Sequence, residues 1–185
     1  MSLLEDHLKW LNLHQEATLE PERPIVDPHH HFWPGEQHYL LEDLWLDTHS
    51  GHNIKKTVFI ECSQEFLKTG DKDFAPVGET IFVKKISDEA RKEKHKTQIE
   101  GIVGHVNLLI GPEKTHEVLT SHLKEGGNLF KGIRHAGGWD HHSELSNSHH
   151  SPHKNLYSNE IFIESLNELI NLNLSFEAWQ YHHQI

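Results

Sequence analysis

The sequence predicts an α/β protein organised on a parallel sheet. Three observations predict it. Apolar, β-branched runs of strand length alternate with segments of helical periodicity from one end of the chain to the other, and that alternation is the pattern of strand–crossover–strand units. Polar residues that can carry chemistry gather at the carboxyl ends of the runs: His29 and His31, Glu61, Arg134 and His135, His182 and His183. Parallel α/β folds bind their ligands at that edge. The third observation is the early His-x-His at the end of the first run. Alternation alone leaves a doubly wound sheet and a (β/α) barrel both open, but bringing several strand ends to one point requires closure, which favours the barrel.

The elements follow in order. Residues 2–16 read as a short helix, with Ser2 as a cap candidate, acidic residues in the first turn, and Leu4, Leu8 and Leu11 at helical spacing. Pro21 and Pro24 then hold the chain extended. Residues 1–23 are therefore a helix and lead-in, and 24–185 are the domain proper. The first strand is expected over 25–29. A helix over 39–47 ends near Gly51. The run 56–62 reads as a buried strand with Glu61 at its end, followed by a long loop over 63–76. Residues 79–95 form a helix whose charges, Lys84, Lys85, Asp88, Glu89, Arg91 and Lys92, make a solvated face. A third strand spans 98–108 and contains His105. Gly111-Pro112 open a helix running through Leu123, which Gly126-Gly127 end. The fourth strand, 129–135, finishes in Arg134 and His135. Residues 137–157 are a polar loop rich in His and Ser, expected to be an exposed loop beside the site. Asn159 to Leu172 is an amphipathic helix with Ile163, Leu166, Leu169 and Ile170 inward. The fifth strand, 174–181, leads into His182-His183.

Composition narrows the function classes. A chain of 185 residues suits one domain with a real core, and a net charge of −11 with His neutral argues against nucleic acid or an anionic membrane surface as partner. The lone cysteine, Cys62, leaves no internal disulfide and fits a reducing compartment; set in an apolar run, it reads as a buried, inert thiol. No apolar stretch approaches the ~20 residues of a membrane span, and 1–22 lack a basic-then-apolar signal pattern. The expectation is a cytoplasmic enzyme or binding protein with a small-molecule substrate.

The stretch Ile25-Val-Asp-Pro-His-His-His-Phe-Trp33 carries the sharpest signal. On a strand, His29 and His31 point to one face and His30 to the other. Two neutral imidazoles on one face can share a metal ion of the Zn, Cu, Fe or Ni class. Pro28, lacking an N–H, suits a strand end. Against this stands the abundance of imidazole: with 20 His in the chain, adjacent pairs recur at His141-His142, His149-His150 and His182-His183. Arg134 is expected either to grip a substrate carboxylate through its planar fork or to pair with Glu61.

The stretch Val26 to Trp33 resembles the Asp-x-His-x-His signature of the amidohydrolase superfamily. More narrowly it resembles the amidohydrolase-related metal-dependent hydrolases, the branch that contains sugar-acid lactonases and pyrone dicarboxylate lactonase. Further segments fit the same branch in the same order: Val58-Phe-Ile-Glu-Cys62, Pro76-Val-Gly-Glu79, Gly101-Ile-Val-Gly104, Phe130 to His135 with Trp139-Asp140, and Ser175-Phe-Glu-Ala-Trp179 with Tyr181-His182. The resemblance covers the chain from about residue 24 onward.

The resemblance implies a TIM-like (β/α)8 barrel, here truncated to about the first five strands and four helices. It implies one divalent ion, usually Zn2+, with His29 and His31 as ligands. It gives His182 as the fifth-strand ligand, with His183 as the alternative. It places Arg134 and His135 against the substrate, and Glu61 joins them at the strand ends as a candidate substrate-binding residue. It implies hydrolysis of a lactone or related carbonyl ester of a small carboxylic or sugar acid by metal-activated water. The general-base Asp of the family pattern falls after later strands, so no catalytic residue is assigned here. The expectation is a weakly active or inactive chain that self-associates through exposed sheet edges and holds one divalent ion or, in its truncated form, none. Two alternatives accompany this reading. One is a non-enzymatic, His-rich metal-binding or interaction fragment centred on residues 141–153. The other is a decarboxylase of the same superfamily.

Overall fold

A computed structural model describes residues 7, 9–11, 13–14, 16–36, 38–148 and 154–185. Strands and helices alternate as the hydrophobic periodicity requires. They are β1 (Pro24–His30), α1 (Leu41–Thr48), β2 (Asn53–Ile60), α2 (Val77–Ala90), β3 (Gln98–Gly104), α3 (Pro112–Gly126), β4 (Phe130–Arg134), α4 (Glu160–Asn171) and β5 (Ser175–Glu177). The five strands form one sheet in the order β1-β2-β3-β4-β5 with every pair parallel. A doubly wound sheet reverses its strand order at a switch point; this sheet never reverses, and it curls as half of a barrel does. Among the described residues β1 and β5 are edge strands. Of the helix expected over 2–16, His7 and Lys9–Leu11 are helical and Leu13, His14 and Glu16 are not, while Ser2, Leu4 and Leu8 lie outside the described residues.

The core lies between the outer face of the sheet and the helices. Phe59, Ile99, Ile102 and Ile133 from the strands meet Val83, Val118, Leu119, Phe162 and Leu169 from α2, α3 and α4. Local chemistry sets the helix ends. Pro112 starts α3 where its missing N–H costs nothing. Asn159 caps α4 by accepting from the Phe162 N–H at 3.2 Å. Gly127, at φ 55°, takes the left-handed conformation that ends α3.

Several boundaries differ from those read off the sequence, each for a visible reason. Strand β2 begins at Asn53 rather than 56, because Ile54 pairs with Ile25 and the Asn53 amide donates to the Glu22 carbonyl at 2.9 Å. Strand β3 stops at Gly104, and Asn107 then caps a single 3-10 turn over Leu108–Ile110 through the Leu109 N–H. Strand β5 is three residues long. Beyond it the Trp179 carbonyl accepts from Gly137 N–H at 2.9 Å, so the chain follows the loop after β4 instead of the sheet. Helix α4 presents Phe162, Ser165 and Leu169 to the core, whereas Ile163 and Ile170 are 48% and 75% exposed. Of the expected inward residues, Leu169 is buried and Leu166 packs against the core, while Ile163 and Ile170 face out and Phe162 takes the inward place.

Close backbone approach fixes the last strand pair. A Cβ on Gly132 would meet the Ser175 carbonyl oxygen at 2.1 Å, so only glycine lets β5 sit in register beside β4. No described helix is long and apolar enough to cross a membrane.

Candidate metal and substrate site

The site is assembled at the carboxyl end of β1. Between Asp27 and His30 the pairing of β1 with β2 slips, with Asp27 opposite Thr57 and His30 opposite Phe59. Three steps along β1 therefore match two along β2. Pro28 explains the irregularity, since it has no N–H for the ladder. Bulges of this kind re-aim side chains at strand ends. Asp27 steadies the turn by accepting from the His29 N–H at 3.0 Å.

Beyond the slip, His29 and His31 converge. Their Nε2 atoms stand 3.2 Å apart with the rings nearly perpendicular, at 87°. Two imidazole nitrogens bound tetrahedrally to one zinc at about 2.0–2.1 Å are about 3.3 Å apart. The same separation also suits one ring donating to the other. His31 is oriented from behind: its Nδ1 lies 2.8 Å from the Ile60 carbonyl. Only a protonated nitrogen donates there, so Nε2 keeps its lone pair, which is how metal-binding imidazoles are held in the right tautomer. Burial lowers the His31 pKa from its ordinary value, and this keeps the ring neutral. His30 points the other way, as strand alternation requires. It is buried edge-on against Phe32 and Phe59, and burial lowers its pKa to about 4.

An open pocket in front of the pair is lined by His29, His31, Arg134, Ser148, Trp179 and Tyr181 among others. Arg134 is buried within it. Its Nε donates to Glu61 Oε1 at 2.8 Å, its Nη2 to the Glu61 carbonyl at 2.6 Å, and its Nη1 to Glu177 Oε1 at 3.1 Å. The fork has five N–H groups, so part of it remains for a ligand among these contacts. Glu61 is fully buried and is not part of the pocket lining. Its link to the pocket is the Arg134 fork that it holds.

The structure separates the remaining expected residues from this pocket. His135 follows Arg134 on the strand and so takes the opposite face. It is fully buried against Phe162 and His105, with its Nδ1 accepting from the Leu108 N–H at 3.2 Å. His182 and His183 lie in a single 3-10 turn, His182–Gln184, past the early end of β5. His182 is exposed and meets His183 edge-on. His183 turns to Trp139 and Asp140. Neither is brought to His29 and His31, and among the described residues no other His, Cys, Asp or Glu completes a group of three with that pair.

No family, no curated protein and no solved structure matches this chain. The chemistry of the site therefore rests on its own geometry.

One feature escaped the sequence reading. Glu79, in the first turn of α2, is buried and accepts from the Cys62 and Gln64 N–H groups at 3.0 and 2.7 Å. It thereby holds the turn that follows Glu61. The available signal was a carboxylate in the first turn of a helix whose neighbours are apolar. Cys62 beside it has its thiol pKa pushed up by burial and by Glu79, which suits an inert residue. In the His-rich loop, where the sequence offered residues 141–153 as a metal binder, Asp140 joins His141 and His142 in one cluster.

Proposed function

We propose that this chain carries the front half of a metal-dependent hydrolase site, acting on a lactone or related carbonyl ester of a small carboxylic acid. The observation that carries the reading is the 3.2 Å convergence of the His29 and His31 Nε2 atoms with the His31 tautomer fixed by Ile60. The donor set, two imidazoles, fits Zn2+ or a similar divalent ion and supplies two of the three protein ligands that catalytic zinc sites use. When bound there, the ion would polarise the carbonyl and bring the pKa of its water to about 7. The chain's own residues bind and orient. Arg134, held by Glu61 and Glu177, offers its remaining N–H groups to a substrate carboxylate in the pocket it shares with the two imidazoles. Trp179 and Tyr181 form a wall of that pocket. The proton acceptor for the attacking water is not assigned to any residue described here.

The barrel reading has its own support. Apolar side chains stand exposed on both flanks of the sheet: Val26 on β1 and Leu46 on α1 at one side, Ile163 and Ile170 on α4 at the other. In the proposed arrangement these flanks are covered in the working protein by further strand–helix units or by a second copy, which also caps the two free edges.

Ring opening of carboxylate-bearing lactones, followed with a pH indicator with and without Zn2+, tests the function. Slow opening that needs the metal and is lost in His29→Ala/His31→Ala is expected. Opening indifferent to that double substitution, or none above that of free Zn2+, contradicts the proposal.

A further inference from the structure

We propose that Asp140, His141 and His142, with His183 beside them, form a second divalent-metal site, separate from the His29–His31 pair, which takes a borderline cation such as Zn2+, Ni2+ or Cu2+. Among the described residues, Asp140, His141 and His142 have ligand atoms that all lie within 4.8 Å of one another. Asp140 Oδ1 is 2.8 Å from His142 Nδ1 and 3.4 Å from His141 Nδ1. The other carboxylate oxygen is 3.6 Å from His183 Nε2, which arrives from the separate segment after β5. Asp140, His141 and His142 make an N2O donor set, and His183, whose Nε2 donates to the Trp139 carbonyl at 3.2 Å, stands at its edge. Ligand atoms on one zinc stand about 3.3 Å apart, and these separations straddle that value. The closest of them, at 2.8 Å, is a hydrogen bond whose proton an ion replaces, so binding releases protons and strengthens as pH rises.

The carboxylate is fixed in place rather than free to turn away. Its backbone N–H donates to Asn147 Oδ1 at 2.7 Å, the His142 N–H donates to its Oδ1 at 2.8 Å, and the side chain is 10% exposed. The neighbouring Trp139 N–H donates to Gln184 Oε1 at 3.0 Å, which ties the loop to the turn carrying His183. The imidazoles of His141 and His142 remain open to solvent, as an entry path requires. With neutral imidazoles and one anionic oxygen, affinity follows the order Ni2+ < Cu2+ > Zn2+. An ion here fixes the loop around residues 140–148, which already meets the segment around residues 179–184 through the Trp139–Gln184 and Trp139–His183 hydrogen bonds. Those two segments supply Ser146, Asn147, Ser148, Trp179 and Tyr181 to the pocket in front of His29 and His31. Occupancy therefore steadies one wall of the proposed substrate pocket without touching the substrate.

Calorimetric titration of Zn2+ into the His29→Ala/His31→Ala chain tests this, because the first pair is then silent and its failure as a site is irrelevant to the outcome. One stoichiometric equivalent is expected, with accompanying change in Trp139 fluorescence. Asp140→Asn or His142→Ala in that background weakens it by at least about tenfold, and His183→Ala weakens it less, with the circular dichroism spectrum retained in every variant. The proposal is overturned if that background binds no stoichiometric ion. It is equally overturned if binding is indifferent to Asp140→Asn and His142→Ala, which would assign it to the other imidazoles of the chain.

Discussion

Arg134 and Glu61 form a buried ion pair at 2.8 Å, with side chains 8% and 0% exposed, at the point where β2 and β4 deliver their last residues to the pocket. The pair joins the second and fourth strand ends across β3. Removing Glu61 leaves the buried Arg134 guanidinium with the half-buried Glu177, at 3.1 Å, as its remaining carboxylate.

Glu61→Ala is accordingly expected to destabilise the chain by about 3–5 kcal/mol, whereas Arg134→Met combined with Glu61→Leu costs much less. Urea unfolding of the single and double variants checks this. Equal losses in both would mean that the pair does not act as a unit.

Glu79 makes stability depend on pH in an unusual sense. Burial raises its carboxyl pKa from 4.5 to about 7. The folded state thus holds a proton that the unfolded state has released, and the stability this contributes is complete below about pH 4.5 and lost as pH rises through about 7. The loss is on the order of 3 kcal/mol. Glu79→Gln keeps an acceptor for the Cys62 and Gln64 N–H groups and removes the charge. Unfolding midpoints measured at pH 5 and pH 8 should differ less in this variant than in the parent; an unchanged difference counts against the assignment.

His122 acts with the opposite sign. It is fully buried, stacked on Phe130, and bonded to Thr80 Oγ1 at 2.8 Å and the His105 carbonyl at 3.2 Å. Burial lowers its pKa from 6.5 to about 4. Here the unfolded state binds the extra proton, so stability is complete above about pH 6.5 and is lost as pH falls through about 4, by about 3 kcal/mol. In His122→Gln the acid limb of a stability–pH curve should flatten. A limb that keeps its slope would place the acid sensitivity on other groups.

The parts of this protein that were legible in advance are those governed by short-range periodicity. Strand and helix order, the parallel sheet and the opposed directions of His29 and His30 all follow from side-chain period and from proline and glycine punctuation. The half-barrel course required one more fact, the unreversed strand order, which periodicity does not contain. The same period-2 rule that separates His29 from His30 also separates Arg134 from His135, and applying it at β4 removes His135 from the pocket. What could not be read locally were the long-range pairings. The Trp179 carbonyl bonded to Gly137 ends β5 early and carries His182 away from the pair. Ile163 and Ile170 fit a helical stripe as well as Phe162 and Leu169 do, and only the position of α4 against the sheet decides between them. Glu79 needed the turn after β2 to be in place before its role had a meaning.

The central claim is that His29 and His31 share one divalent ion. The direct measurement is a Zn2+ titration of the chain carrying Asp140→Asn/His142→Ala, with and without His29→Ala/His31→Ala. One equivalent bound in the former and lost in the latter is the predicted result. An absence of stoichiometric binding before the two strand-end histidines are replaced, or its persistence after, would contradict the account.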